Sequence, residues 1–236
     1  MFRTLIYFFK LVWDLLKKNK DLKKAEKLEK QGRIKERDAL VRPIVQDWAQ
    51  KLIYNTKSTV EVIGSENVPK NQSIVLIGNH QSYMDIPLLL GFIDTPLAFI
   101  SKAEILKVPI IARAMKQMQC EFMERNNPRQ SLQTILKAIE NIKNGYSTVI
   151  FPEGTRSKGG PVIDFKPGSF KLAFKSGAPI VPISIDGTWR LYEDKKRINA
   201  GHIRLTIHNP IETSKLTKEE MHELPEKIRD IILAAL

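Results

Sequence analysis

The fold is decided by the stretch IVLIGNHQSYMDIPLLL, which occupies residues 74–90. Its apolar beginning is typical of a buried strand, and a Gly-Asn pair ends that strand. Its apolar end predicts the first turns of a helix, where Pro87 fits because the first N–H groups of a helix are unpaired anyway. Between the two elements lie His80 and Asp85. The stretch therefore places a histidine and an aspartate on a strand-to-helix turn, the usual position of sites in α/β sheets.

The spacing of His80 and Asp85 permits a base and a group that orients it. A neutral imidazole has an unperturbed pKa of about 6.5, so it can accept a proton near neutral pH. A carboxylate across the turn can accept a hydrogen bond from the other ring nitrogen and hold one tautomer. The alternative is a solvated histidine beside an aspartate that only caps the next helix, and the His-x4-Asp pattern alone does not decide between them.

Strands and helices alternate on both sides of this stretch. The apolar patterns predict strands at residues 59–63, 73–78, 97–100, 147–151, 179–185 and 202–207, the last alternating like an edge strand, and helices at 104–117, 129–144 and 217–235. This alternation indicates an α/β fold with a mostly parallel central sheet flanked by helices. A chain of 236 residues is long enough to bury one such core.

A second polar stretch, FPEGTRS at residues 151–157, follows another short β-branched run. Gly154 allows the backbone to come close to a ligand, and the guanidinium of Arg156 offers a planar fork for phosphate oxygens. The alternative is a surface turn held by an Arg–Glu pair. The stretch is therefore a candidate for binding a phosphate-bearing substrate.

Four blocks in this order resemble the glycerolipid acyltransferase family and, within it, the 1-acylglycerol-3-phosphate acyltransferases. The blocks are the His80–Asp85 turn, Lys102-Ala103-Glu104 with Arg125 beyond it, residues 151–157, and Val181-Pro182-Ile183. The resemblance covers roughly residues 58–210. It implies that His80 is a general base oriented by Asp85. The substrate-binding residues that it implies are Lys102, Arg125, Glu153, Gly154, Thr155 and Arg156.

The resemblance implies an enzyme of phospholipid biosynthesis that transfers a fatty acyl group from a thioester donor to the sn-2 hydroxyl of lysophosphatidic acid, giving phosphatidic acid. Two roles remain open for Glu153, which would hold either Arg156 or the glycerol. Two also remain open for Lys102, on the phosphate or near the thioester oxygen. Related alternatives are transfer to glycerol 3-phosphate or to another lysophospholipid, and hydrolysis with water in place of the hydroxyl.

Acyl transfer from a thioester suits a site without a protein nucleophile. A free thiol has a pKa of about 8.5, so a thiolate leaves without a strong acid. The sequence has no Gly-x-Ser-x-Gly elbow, which agrees with direct attack by the alcohol. We expect no cofactor, since acyl-coenzyme A and acyl-acyl carrier protein both carry the thioester as donor substrates. No His or Cys cluster has the spacing of a metal site.

The formal charge of +12 and the pI near 9.7 favour an anionic partner. No recognised nucleic-acid motif is present, so the expected partners are a membrane lipid acceptor, an anionic bilayer surface and, as one candidate donor, acyl carrier protein. The runner-up from another class is a basic membrane-surface or nucleic-acid-binding protein without catalysis. The single cysteine, Cys120, excludes an internal disulfide and fits a reducing compartment.

The N-terminal segment is expected to lie on a membrane. Residues 2–16 are almost all apolar or aromatic, with polar residues at helical spacing, and residues 17–42 carry eleven positive and five negative charges. A helix of residues 2–16 is too short to span a hydrocarbon core of roughly 30 Å, so we expect it in the interface, with a core helix as the alternative. We predict a separable helical anchor at residues 1–42, an α/β acyltransferase domain at residues 43–236, and a peripheral or monotopic location on the cytoplasmic face of the cell membrane.

Overall fold

A computed structural model describes residues 2–124 and 127–236, with side chains from Thr4 onward. Its centre is a seven-stranded sheet. The strands, in chain order, are β1 (Thr59–Ile63), β2 (Val75–Gly78), β3 (Leu97–Lys102), β4 (Glu121–Met123), β5 (Ser147–Ile150), β6 (Ile180–Asp186) and β7 (His202–Ile207). In space they follow the order β1-β7-β6-β2-β5-β3-β4.

The sheet is mostly parallel, as the sequence predicts. Strands β6, β2, β5, β3 and β4 pair in parallel, β6 and β7 pair antiparallel, and β1 pairs in parallel with β7. The prediction of an edge strand at residues 202–207 is wrong, because β7 lies between β1 and β6. Its alternating exposure reflects one well-covered face, not an edge position. Strand β4 was not expected, since three residues are too few to show a period.

Helices cover both faces of the sheet. They are α1 (Phe2–Lys30), α2 (Ile34–Tyr54), α3 (Asp85–Phe92), α4 (Pro109–Gln117), α5 (Pro128–Lys143), α6 (Lys171–Ser176) and α7 (Lys218–Leu233). Helix α4 begins later than predicted. Residues 103–107 form a short 3₁₀ turn, and Pro109 is the first residue of α4. The prediction of helices near residues 129–144 and 217–235 is confirmed by α5 and α7.

The core is divided by the sheet into two clusters. On β2 and just before it, Ile74 and Leu76 face the cluster shared with α2 and α3, whereas Val75 and Ile77 face the cluster shared with α5, α6 and α7. All four side chains are fully buried. A continuous apolar run is what a central parallel strand requires, because both of its faces pack against helices.

Helices α1 and α2 form a hairpin that is part of the core. Gly32, in the left-handed region at φ 71°, lies in the turn between them. Tyr7 is buried, and its hydroxyl donates a hydrogen bond to the main-chain oxygen of Leu52 at 3.2 Å. Residue 42 lies inside α2. The separable anchor at residues 1–42 stays a prediction. Its boundary falls within α2, and its removal would take Tyr7 out of the core.

The outer side of α1 is apolar and exposed. Leu5 is 64% exposed and Phe9 is 68% exposed. At about 100° per residue these side chains point away from the buried Tyr7. We call this surface the outer face of α1; its members are Leu5, Phe9, Val12, Trp13 and Leu16. No helix in the described ranges combines the length and the apolar character that crossing a membrane requires.

The order of the strands brings three loops to one edge of the sheet. Strands β2, β5 and β6 are neighbours and run in the same direction. Their carboxyl ends therefore meet, and the segments that follow them, at residues 79–84, 151–166 and 187–199, lie side by side.

Candidate active site

The structure brings His80 and Asp85 into direct contact. Nδ1 of His80 lies 2.6 Å from Oδ2 of Asp85. The imidazole stacks on the ring of Phe151, with centroids 4.0 Å apart and planes 11° apart. In a neutral imidazole the Nδ1–H donates to the carboxylate, which leaves Nε2 with a lone pair. The pair is therefore arranged as a base and its orienting group.

Asp85 is completely buried, at 0% exposure. Its Oδ2 also accepts hydrogen bonds from the main-chain N–H groups of Gln81 and Ser82, at 2.7 and 3.0 Å. Its Oδ1 accepts from the hydroxyl of Thr188. Asp85 therefore does more than cap the next helix, since its carboxylate has four donors, one of them the ring of His80, and no contact with solvent.

Glu153 joins the loop after β5 to the turn that carries His80. Its Oε1 accepts from the main-chain N–H of His80 at 2.7 Å, and its Oε2 accepts from that of Ile163 at 3.3 Å. Of the two roles left open for Glu153, a hold on Arg156 is not seen here, since Arg156 pairs with Glu193. Glu153 is 1% exposed, and burial raises the pKa of its carboxyl above the ordinary value despite the two N–H donors. The main-chain N–H of Ser157 adds a bond of 2.7 Å to the carbonyl of His80.

Arg156 is held from two sides near the His80–Asp85 pair, which we call the dyad. Its guanidinium lies 3.4 Å from the ring centroid of Tyr83, a cation–π contact. It also forms an ion pair with the buried Glu193, whose other oxygen lies 3.6 Å from Nζ of Lys196. Tyr83 belongs to the turn between His80 and Asp85, so the position of Arg156 is tied to the dyad.

The remaining predicted residues lie at greater distance or elsewhere. Gly154 has φ 70°, and a Cβ there would lie 2.8 Å from Nζ of Lys166, whereas Thr155 is exposed. Lys102 is exposed at the end of β3. Because β5 lies between β3 and β2, Lys102 is about 10 Å along the sheet edge from the dyad. Arg125 lies outside the described residues.

Several supporting residues were not assigned a role from the sequence. The side-chain amide of Asn79 exchanges two hydrogen bonds with the main chain of Ile185, both at 2.8 Å. Oε1 of Gln81 accepts from the main-chain N–H of Gly187 at 3.0 Å. Thr188 could have been suspected, because it follows a predicted strand at the edge that carries the dyad. Glu193 gives no such signal.

Two other chemistries find little support among the described residues. Cys120 is buried, and burial raises the pKa of its thiol to about 12, so a thiolate is strongly disfavoured. In the ranges that the structure describes, no group of three or more His, Cys, Asp or Glu side chains is placed to hold a metal ion.

Comparison with known proteins agrees with this geometry. A family model described as Acyltransferase matches residues 59–186. The chain is 38% identical over 175 residues to a chloroplastic 1-acyl-sn-glycerol-3-phosphate acyltransferase of Brassica napus, covering 73% of this chain and 50% of that protein. It is 33% identical over 176 residues to the 1-acyl-sn-glycerol-3-phosphate acyltransferase of Borreliella burgdorferi, covering 74% and 70%.

A solved structure extends the likeness to the whole described fold. The crystal structure of the 1-acyl-sn-glycerophosphate acyltransferase PlsC from Thermotoga maritima has a TM-score of 0.84 and 30% identity, covering 99% of this chain and 94% of that one. Fold and site thus define an α/β protein with a histidine–aspartate pair at the carboxyl edge of its sheet. The chain belongs to the acyltransferase family, which confirms the resemblance seen in the sequence. It spans about half the length of the plant relative.

Proposed function

We propose that this protein transfers a fatty acyl group from a thioester to the sn-2 hydroxyl of lysophosphatidic acid, giving phosphatidic acid and a free thiol. The observation that carries the proposal is the contact between the partly exposed His80 and the buried Asp85, with the guanidinium of Arg156 fixed against the same turn. The relatives named above are acyltransferases of 1-acylglycerol 3-phosphate, which supports this acceptor.

In the proposed reaction His80 is the general base. Its Nε2 takes the proton of the acceptor hydroxyl as the oxygen attacks the thioester carbonyl carbon. The C–S bond of the resulting tetrahedral intermediate then breaks, and the proton leaves with the thiolate sulfur as a thiol. Asp85 stabilises the imidazolium that forms in between. General bases of this kind contribute about 10²–10⁴-fold to rate.

Direct attack by the alcohol is supported by the burial of Ser82 and Cys120. Ser82, inside the dyad turn, is fully buried, and its Oγ accepts from the main-chain N–H of Met84 at 3.1 Å. The buried Cys120 thiol has a strongly raised pKa. We therefore propose no covalent acyl-enzyme and no cofactor, with coenzyme A or acyl carrier protein as the thiol carrier of the donor.

We assign acceptor binding to the loop after β5. Arg156 would bind the phosphate through the N–H groups that do not face Glu193, and Tyr83 would keep the guanidinium plane in place. Gly154 and Thr155 would shape the loop, and Glu153 would act by holding that loop to the main chain of His80. Lys102 and Arg125 are proposed as further cations for the substrates, with Lys102 on either the phosphate or the thioester oxygen.

We further propose that the N-terminal hairpin anchors the protein on the cytoplasmic face of the cell membrane without spanning it. The outer face of α1 offers five large apolar side chains, each worth about 1.5–3 kcal/mol when fully buried. Part of the charge of residues 17–42 is neutralised internally, as in the Lys18–Asp47 and Arg37–Glu29 pairs. Fewer positive charges than the sequence count suggests are therefore free to attract an anionic bilayer. We assign the larger part of the anchoring to the apolar face.

The activity is tested by product analysis with purified protein. Acyl-coenzyme A and acyl-acyl carrier protein are each combined with lysophosphatidic acid, glycerol 3-phosphate, lysophosphatidylcholine or no acceptor. We expect phosphatidic acid as the main product. Release of free fatty acid at the same rate with and without acceptor would show a hydrolase instead. Faster turnover of glycerol 3-phosphate or lysophosphatidylcholine would overturn the acceptor.

The anchor is tested by flotation with vesicles. Replacing Leu5, Phe9 and Trp13 by Ser should abolish flotation and slow the turnover of bilayer-embedded acceptor. The matched control replaces Leu132 and Leu136, which are also large, apolar and exposed but lie on α5, and should leave flotation unchanged. Equal flotation of the α1 variant and wild type on vesicles that contain phosphatidylglycerol would contradict the assignment.

A further inference from the structure

The second oxygen of Asp85 is held by a residue far along the chain. The three N–H donors to Asp85 from its own turn all lie on Oδ2. Oδ1 accepts from the hydroxyl of Thr188, which is 103 positions away and, like Asp85, 0% exposed. The same hydroxyl lies 3.4 Å from Oε1 of Gln81, a longer contact, so its single proton is directed to the carboxylate.

The main chain fixes Thr188 in this position. Gly187 has φ 93°, and a Cβ there would lie 2.2 Å from the main-chain oxygen of His202 in β7. Only glycine allows the chain to turn this tightly against β7. The N–H of Gly187 donates to the side chain of Gln81 at 3.0 Å, which fastens the turn after β6 to the turn after β2.

We propose that Thr188 is a positioning residue of the acyl-transfer site: its hydroxyl holds the Asp85 carboxylate in the rotation that keeps Oδ2 on Nδ1 of His80. The inference rests on the proposed function. A buried carboxylate oxygen without a donor is costly, so the group would rotate toward another donor or gain water. Either change loosens the tautomer and the direction of the imidazole.

The experiment compares Thr188→Val, which is isosteric, with Thr188→Ser, which keeps the hydroxyl. The control is Thr213→Val, because Thr213 is equally buried and donates to the main-chain oxygen of Ala178, away from the site. For Thr188→Val we expect kcat to fall about tenfold or more with little change in KM, because the base loses its fixed direction while acceptor binding is untouched. Thr188→Ser should recover most of kcat, and Thr213→Val should match wild type.

A second measurement does not depend on activity. The ring-nitrogen signals of His80, identified by their loss in His80→Ala, are compared by NMR at one pH in wild type and Thr188→Val. Wild type should show the single tautomer with the proton on Nδ1, and the variant a mixture of tautomers. If Thr188→Val does not fold, Thr188→Ala takes its place in both measurements. Unchanged kcat and an unchanged tautomer, or equal losses in the Val and Ser variants, would overturn the role of Thr188. Failure of wild-type protein to make phosphatidic acid would instead overturn the proposed function, whatever the tautomer of His80.

Discussion

The turn after β2 and the loop after β5 lie side by side but are built differently. In the turn, the carboxylate of Asp85 is fully enclosed, with donors on both of its oxygens. In the loop, Arg156 is partly exposed and rests on Tyr83, which is 63% exposed. The turn that carries the proposed base is thus fixed before any ligand arrives, whereas the loop that would meet the phosphate is held by contacts that a ligand can share.

This difference separates two kinds of loss. Damage to the enclosed turn should act on the rate of the chemical step, because the geometry of the base changes. Damage to the partly exposed loop should act on the apparent affinity for the acceptor. Glu153 belongs to both regions, since it lies in the loop and holds the main chain of the turn.

The largest effect is expected from His80→Ala. Loss of the general base should lower kcat by about 10²–10⁴-fold while the protein stays folded. Turnover is measured with lysophosphatidic acid, and folding by circular dichroism. His222→Ala, which removes an exposed histidine on α7, is the control. A variant that keeps more than about a tenth of wild-type turnover would remove the base assignment.

Arg156→Ala should act mainly on KM. The phosphate loses a charge-assisted partner, so we expect KM for lysophosphatidic acid to rise about 10–100-fold, with a smaller effect on an acceptor that lacks the phosphate. Arg156→Lys keeps the charge but not the fork, so its KM should lie between those of wild type and Arg156→Ala. Arg129→Ala on α5 controls for the loss of one surface charge. Equal losses with both acceptors would show that Arg156 does not bind the phosphate and acts instead on the geometry of the His80–Asp85 turn.

Glu153→Gln tests the residue shared by both regions. Glu153 accepts hydrogen bonds from two main-chain N–H groups. In the glutamine variant the side-chain NH₂ would face one of them, donor against donor, so the free energy of unfolding should drop by about 1–3 kcal/mol. Burial raises the pKa of Glu153, so its favourable contribution is full below the ordinary value of 4.5 and is lost as pH rises through the folded-state pKa.

The variant should therefore lack this decline of stability with rising pH. Urea unfolding of wild type and Glu153→Gln from about pH 4 to about pH 8 measures it, with the exposed Glu66→Gln as control. Parallel pH curves for wild type and Glu153→Gln would mean that the carboxyl does not titrate differently on folding.

The smallest effect is expected from Tyr83→Leu. A partly exposed cation–π contact is worth about 0.5–1 kcal/mol, so KM for lysophosphatidic acid should rise only a few-fold, and Tyr83→Phe should resemble wild type. Steady-state kinetics of the three proteins decide this. A large fall in kcat for Tyr83→Leu would mean that the ring supports the dyad itself. The turn after β2 and the loop after β5 would then not differ in the way described above.

The sequence allowed the fold to be predicted where a pattern is local. The run that became β2 is apolar and continuous, those that became β5 and β6 are rich in β-branched residues, and the turn after β2 carries its own signature in His80 and Asp85. The order of the strands could not be predicted, because it depends on pairing between distant segments. That is why residues 202–207 were placed at an edge.

The candidate site could be predicted as far as short motifs extend. The partners of Glu153 and Arg156 cannot be predicted, because each side chain contacts a group from another segment, the main chain of His80 in one case and Glu193 in the other. Such contacts follow from strand order and leave no trace in local spacing. The place of Thr188 after a predicted strand is a signal, but its contact with Asp85 also depends on strand order.

The hydroxyl of Tyr7 lies 3.7 Å from the sulfur of Met84, the residue before Asp85, and the outer face of α1 points the opposite way. A helix with its side chains is about 10–12 Å across. If the outer face of α1 lies on a bilayer, α1 acts as a spacer that separates the bilayer from His80 by about one helix diameter. A lipid must then rise out of the bilayer by roughly that distance to reach His80. Each methylene drawn out of the bilayer costs about 0.8 kcal/mol, and a lipid with two acyl chains withdraws twice as many as a lipid with one. The spacer would therefore admit a single-chain acceptor more easily than it retains a two-chain product, and would drive the product back into the membrane.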